Sequence, residues 1–221
     1  MNVLIVGASR GIGLEFVRQY REAGDRVTAT ARSEEALAAL RALGANAVAL
    51  DVASAESVSR LGGQVEGQAF DAAIVVAGVY GPRSSALEPP TDADFDLVMR
   101  TNVLGPMRVV AQLAECLAPQ AKLALLSSRM GSIGTRTSAG GWLYRASKAA
   151  ANSVLKDTSL VLQGRATCVA FHPGWVRTDM GGAGADLPVE QSVADMRRVI
   201  AGLTPADNGR FLNHDGAAID W

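Results

Sequence analysis

The stretch NVLIVGASRGIG, residues 2–13, decides the fold. Four apolar residues, Val3 to Val6, run unbroken into Gly7, and Gly11 and Gly13 follow as a helical pattern begins. An unbroken apolar run suits a strand buried on both faces, as in a parallel sheet, and a glycine directly after it permits a tight turn. The glycine spacing is G-x-x-x-G-x-G, not G-x-G-x-x-G. The physics is shared: Gly11 and Gly13 remove side chains where a pyrophosphate would approach, and the free N–H groups of the helix start would meet the anion. Gly7, Ser9, Arg10, Gly11, Ile12 and Gly13 are the candidate contacts. Taken alone, a glycine-rich turn that binds nothing explains the stretch equally well.

Working outward, the same strand-then-helix unit recurs. Short β-branched apolar runs at 26–31, 46–50, 71–76, 122–127, 166–171 and 210–213 join 2–6 as strands, and helical patterns begin near Gly11, Ser33, Ser54, Asp92, Leu143 and Val189. This alternation predicts an α/β fold: a single doubly wound, Rossmann-type domain over 1–221, with a seven-stranded, mostly parallel sheet and helices on both faces. Two Gly/Pro/Ser-rich stretches, 78–90 and 173–188, each follow a strand's C-terminal end, where ligands bind in such sheets.

The end of the second strand speaks to the nucleotide. A site for NAD places a carboxylate there to bond the ribose hydroxyl. Here the position is Ala31, followed by Arg32, while the glycine loop carries Arg10. Either arginine alone reads as a solvated charge. Two guanidiniums and no acid beside one candidate phosphate favour NADP(H) over NAD(H), because arginine binds phosphate bidentately.

With GASRGIG near the start and YRASK at 144–148, the chain resembles a short-chain dehydrogenase/reductase over nearly its whole length. It is most similar to the short, single-domain branch of C-factor and the sniffer-type carbonyl reductases. The shared features are SSRMGSIG, a glycine-rich insert before the tyrosine, YRASKAA, HPGWVRTDMGG and NGRFLNHDG. The resemblance implies that Tyr144 and Lys148 match Y-x-x-x-K, Ser128 the second serine of S-S-x-x-G, and Asn102 the helix asparagine. It further implies cofactor contacts from Asp51 and Val52 at the adenine, from Gly78, and from Pro173, Gly174, Val176 and Thr178 at the nicotinamide carboxamide. Two departures from the family pattern stand out: Val6 replaces a threonine, and VVAG (75–78) replaces N-N-A-G.

The chemistry such residues serve is reduction of an aldehyde or ketone. Hydride addition develops alkoxide charge that needs a proton donor and a pre-aimed hydrogen bond. A lysine four residues from a tyrosine shares its helix face, and its charge is expected to pull the phenol toward neutrality from a pKa of about 10. The resemblance adds a ribose contact for Lys148, a carbonyl contact for Ser128, and a water-linked proton path through Asn102. The expectation is thus a reversible NADPH-dependent carbonyl reductase acting on a small carbonyl or alcohol. The competing class is a non-catalytic dinucleotide-binding signalling protein, and a dehydratase or epimerase using the same tyrosine stays open.

Bulk properties remove other classes. The chain has 221 residues, 48% of them hydrophobic, and a formal charge of −1, which gives no electrostatic footprint for nucleic acid or an acidic membrane. No apolar run spans a bilayer and the start has no signal-peptide pattern. The two cysteines, Cys116 and Cys168, lack metal-ligand spacing and read as reduced thiols, as expected in the cytoplasm. The run VLGPMRVVAQLAECLA after Asn102 is apolar on more than one stripe, as expected of a helix facing both the sheet and the second subunit of a homodimer. His172 and His214 show no pattern that assigns them a role.

Overall fold

Seven parallel strands form one sheet in the order β3-β2-β1-β4-β5-β6-β7 in the structure, a computed structural model that describes residues 1–83 and 87–221. The strands are β1 (Asn2–Val6), β2 (Arg26–Ala31), β3 (Asn46–Ala49), β4 (Phe70–Val75), β5 (Leu117–Leu126), β6 (Ala166–His172) and β7 (Arg210–Asn213). The helices are α1 (Gly11–Glu22), α2 (Glu34–Ala42), α3 (Ala55–Ser59), α4 (Leu61–Gln64), α5 (Asp92–Met99), α6 (Gly105–Leu113), α7 (Trp142–Val161) and α8 (Val189–Gly202). Part of the glycine- and proline-rich stretch 78–90, residues 84–86, lies outside the described residues.

The period-two geometry of a strand explains why the apolar runs are continuous. In β1, Leu4 and Val6 point to one face and Val3 and Ile5 to the other, and all four are fully buried. On the first face they meet α3, α4, α6 and α7 through Val58, Leu61, Val109, Leu113 and Leu155. On the second they meet α1, α2 and α8 through Phe16, Tyr20, Leu40, Val193, Met196 and Ile200. Each such fully buried side chain contributes about 1.5–3 kcal/mol.

Local signals start the helices where the sequence places them. Ser33, Ser54 and Thr91 accept the N–H groups of Ala36, Ser57 and Asp94 and so cap α2, α3 and α5. The helical pattern from Asp92 is interrupted by a wide π turn, Arg100–Leu104, before α6 continues. β5 begins five residues earlier than its apolar run suggests. Leu117 pairs with Phe70, and the register then shifts, with Gln120 at positive φ, before the regular pairing from Lys122. Pro119 hides this first segment from a reading of β propensity.

Strand order reverses between β1 and β4, which opens a crevice at their C-terminal ends. Gly7 sits at that point with φ +91, and a Cβ there would stand 2.7 Å from the backbone of Ala77. The Val6 carbonyl accepts the N–H groups of Val76 and Ala77 at 2.9 and 3.0 Å. Backbone bonds therefore knit the two central strand ends, although Val6, Val75 and Val76 offer no polar side chains there.

Candidate active site

A cleft of about 360 Å³ runs along these strand ends. Its walls include Gly7, Ser9, Arg10, Gly11, Ile12, Arg32, Asp51, Val52, Gly78, Tyr144, Lys148, Pro173 and Thr178, each singled out in the sequence. Gly13, Asn102, Ser128, Gly174 and Val176 are not on its wall. Gly13 is a packing glycine: a Cβ there would lie 2.1 Å from the Gly7 carbonyl oxygen, so its role is close approach of α1 to the loop. Gly174, at φ +87, turns the chain against Leu187 and His214. Val176 is buried and bridges to Leu187, which shapes the loop from behind.

At the β1 end the cleft is made of backbone. The first N–H groups of α1 have no acceptor within the helix and face a space kept clear by Gly11, where a Cβ would stand 3.3 Å from the Thr178 side chain. The Thr30 hydroxyl accepts the Gly7 N–H at 3.0 Å and fixes the loop, a contact that no local pattern in the sequence reveals. Arg10 pairs with Asp179 at 3.0 Å across the cleft, and both side chains are about three-quarters exposed. Arg32 is exposed at the rim. Asp51 accepts the Ala53 N–H through Oδ1 at 3.0 Å, which orients its carboxylate.

At the β4–β5 end the cleft is made of buried side chains. Lys148 is 5% exposed and its Nζ donates to the Leu126 carbonyl at 2.9 Å. Gly78 lies beside it, and a Cβ there would stand 3.3 Å from both Lys148 Nζ and Asn102 Oδ1. Asn102, in the π turn, clamps the backbone of Val79: Oδ1 accepts its N–H and Nδ2 donates to its carbonyl, both at 2.8 Å. Nδ2 also donates to the Ser147 hydroxyl at 3.0 Å. Both amide hydrogens of Asn102 are thus committed, which ties the end of β4 to α7. The Ser128 hydroxyl accepts the Met130 N–H at 3.1 Å and opens the turn Arg129–Gly131. Gly131 brings that turn onto α7, since a Cβ there would lie 2.7 Å from the Lys148 backbone. The last glycine of S-S-x-x-G therefore sets Ser128 beside Tyr144.

The electrostatics correct one expectation. Burial pushes the Tyr144 phenol up to about 12 rather than toward neutrality, and a hydrogen bond with Ser128 only partly opposes this. Burial also lowers Lys148 to about 8. Lys148 Nζ stands 5.8 Å from the centre of the Tyr144 ring, so the lysine faces the ring and bonds a carbonyl instead of the phenol oxygen. Desolvation decides the direction here. His172 is driven down to about 4, by burial first and then by Arg129 and His214, so it stays neutral near pH 7. His214, without an evident partner in the sequence, bonds Asp195 at 3.0 Å and braces β7 against α8.

The residues present fit a dinucleotide. Free helix N–H groups face the phosphate position, glycines keep the floor bare, a fixed carboxylate stands at one end, and a buried ammonium and phenol stand at the other. The model of the short chain dehydrogenase family matches residues 1–186. A 1-hydroxy-2-glutathionyl-2-methyl-3-butene dehydrogenase from Rhodococcus sp. (strain AD45) is 34% identical, over 99% of each chain. Among solved structures, the carbonyl reductase Sniffer of D. melanogaster superposes with a TM-score of 0.92 at 28% identity, covering 100% of this chain and 99% of that one. A carbonyl reductase from Pseudomonas aeruginosa PAO1 in complex with NADP gives 0.87 at 32% identity, with the same coverage.

Proposed function

The chain belongs to the short-chain dehydrogenase/reductase family, and from that premise we propose an NADPH-dependent reductase of an aldehyde or ketone, with Tyr144 as proton donor. One observation carries the reading: the Tyr144 phenol and the Lys148 ammonium stand together at one end of a glycine-floored cleft, with the Ser128 hydroxyl hydrogen-bonded to the phenol. Bound NADPH supplies the hydride. Tyr144, held up at about 12, is fully protonated at neutral pH and gives its proton to the developing alkoxide. The Ser128 hydroxyl, already in contact with the phenol, donates a hydrogen bond to the same oxygen. Lys148, charged below about pH 8, stabilises the phenolate left behind, which then takes a proton from solvent. Asn102 holds Val79 and Ser147, and so keeps the neighbours of Gly78 and Tyr144 in register.

The preference for NADP(H) rests on Arg10 and Arg32 at the cleft wall, on Ala31 in place of an acid, and on the NADP complex formed by the similar Pseudomonas protein. Residues 1–221 act as one NADP-binding domain, and the substrate is a small carbonyl or alcohol. A homodimer and a cytoplasmic setting complete the reading. Phe95, Leu97 and Met107 on α5 and α6 stand about half exposed, and both cysteines are free and buried. No helix among the described residues is long and apolar enough to cross a membrane. NADPH oxidation followed across a panel of aldehydes and ketones, with NADH in parallel, tests the proposal. Turnover with NADPH supports it, while tight NADPH binding with no turnover across the panel transfers the protein to the binding class.

A further inference from the structure

The strand-end segment after β4 places an aromatic ring directly on the proton donor. The rings of Tyr80 and Tyr144 stack with centroids 4.5 Å apart and planes 23° from parallel. The guanidinium of Arg83 stands 5.1 Å from the centre of the Tyr80 ring, and its Nη2 donates to the Met180 carbonyl at 3.2 Å. A ladder therefore crosses the mouth of the site: Met180 carbonyl, Arg83, Tyr80, Tyr144. It joins Tyr144 on α7 to the segment after β6 by way of the segment after β4.

The backbone around this ladder is built to admit Tyr80. Gly141, at φ +61 on the N-terminal side of α7, is buried, and a Cβ there would stand 2.8 Å from the Tyr80 hydroxyl and 3.3 Å from Met130 Cε. A side chain at Gly141 would strain the backbone and force the Tyr80 hydroxyl to shift. At the other end of the segment Asn102 fixes Val79 by two bonds at 2.8 Å, so the residue before Tyr80 has no freedom to slide. Tyr144 itself is 8% exposed, and the face of Tyr80 stacks on its ring.

We propose that Tyr80 is a positioning residue for Tyr144, its ring holding the phenol in the orientation from which a proton reaches the substrate oxygen, with Arg83 pinning Tyr80 across the cleft to Met180. This rests on the reading of Tyr144 as proton donor. Holding the ring matters because proton transfer needs donor and acceptor within hydrogen-bond reach, and a small misplacement lowers the rate steeply. A face-stacked aromatic restricts a neighbouring ring through contact alone, so the Tyr80 hydroxyl is dispensable.

Two measurements on the full chain test this. In kinetics with the best carbonyl, Tyr80→Leu lowers kcat by at least about tenfold. NADPH affinity stays within about twofold, because the Leu variant leaves the phosphate-facing loop alone. Tyr80→Phe restores kcat to within about twofold of wild type. The second measurement uses ring-labelled tyrosine, since the chain holds only three tyrosines, each assignable by a phenylalanine substitution. Tyr80→Leu removes the ring-current shift of the Tyr144 resonances and lets its ring flip faster, while Tyr20 signals stay put. Wild-type kcat in Tyr80→Leu, or Tyr144 resonances unmoved by it, overturns the proposal. So does a Tyr80→Phe variant as slow as Tyr80→Leu, which would make the hydroxyl the active part. A wild type that turns over no carbonyl defeats the reductase reading instead, and the resonance measurement still decides whether Tyr80 holds Tyr144.

Discussion

Along β1 and β2 the cleft is walled by backbone and by charges in water: bare glycines, helix N–H groups, an exposed Arg32, and an Arg10–Asp179 pair about three-quarters exposed. At the ends of β4 and β5 it is walled by buried side chains, Lys148 and Tyr144, backed by Asn102, Ser147 and Ser128, and all five are less than a tenth exposed. The two regions differ in what a single atom is worth. Exposed charges are screened and contribute modestly, whereas a buried polar group carries its whole desolvation cost and depends on its partners. On the proposed function, binding is thus shared among many small terms at one end, and reactivity is concentrated in a few large ones at the other.

The sharpest way to break that contrast is Tyr144→Phe. It keeps the ring and its stacking and removes one oxygen, and turnover is expected to fall by about a thousandfold, the scale of general-acid catalysis. NADPH affinity by fluorescence titration should stay within about twofold. Wild-type turnover in this variant would remove Tyr144 from the mechanism. Ser128→Ala takes away one hydrogen bond to the developing charge, and steady-state kinetics should show a loss of about a hundredfold in kcat with cofactor binding retained.

Lys148→Met sharpens the comparison from the side of stability. On the proposed mechanism turnover and NADPH affinity should fall together, since the ammonium would support the phenolate and lines the cleft. Burial holds the lysine at about 8, below its ordinary value of 10.5. Between those two pH values the unfolded chain binds the extra proton, so wild-type stability gains as pH rises through this window. Denaturant titrations at pH 8 and pH 10 should show wild type gaining on Lys148→Met at the higher pH. A constant difference would mean that the lysine titrates normally.

The smallest effect belongs to the exposed end. Arg32→Asp should weaken NADPH by about ten- to a hundredfold, as expected for loss of a charge-assisted phosphate bond and its replacement by repulsion. NADH should bind nearly as before, and the difference should shrink in high salt. Equal weakening of both nucleotides would show that Arg32 shapes the loop rather than reading a phosphate.

The same contrast explains what was legible in the sequence. Strands buried on both faces appear as unbroken apolar runs, and helix starts carry their own caps at Ser33, Ser54 and Thr91, so the sheet and the helix positions could be read from local pattern. The glycine loop and the Tyr144–Lys148 pair are also local. What could not be read is whatever depends on the third dimension. Thr30 bonds Gly7 from another strand, Tyr80 reaches Tyr144 from a distant part of the chain, and Asp179 meets Arg10 from the far side of the cleft. The direction of the Tyr144 shift belongs to the same class. Spacing shows that a lysine is near, but only burial shows that desolvation wins. The early start of β5 and the π turn at Arg100–Leu104 escaped because Pro119 argues against a strand and a widened turn has no composition of its own.

That π turn changes how residues should be counted along the segment from Asp92 to Leu113. One extra residue in a turn advances everything after it by about 100° around the axis. Phe95 and Leu97 face outward before it, while Val109 and Leu113 are fully buried after it. An alignment to a relative with an unbroken helix would therefore need a one-residue gap inside 100–104 to match like faces with like. Shortening the segment by a residue there would bring the two stretches back into phase and swing Asn102 away from Val79. The widened turn lets one rod-like element serve both the sheet below and the clamp above.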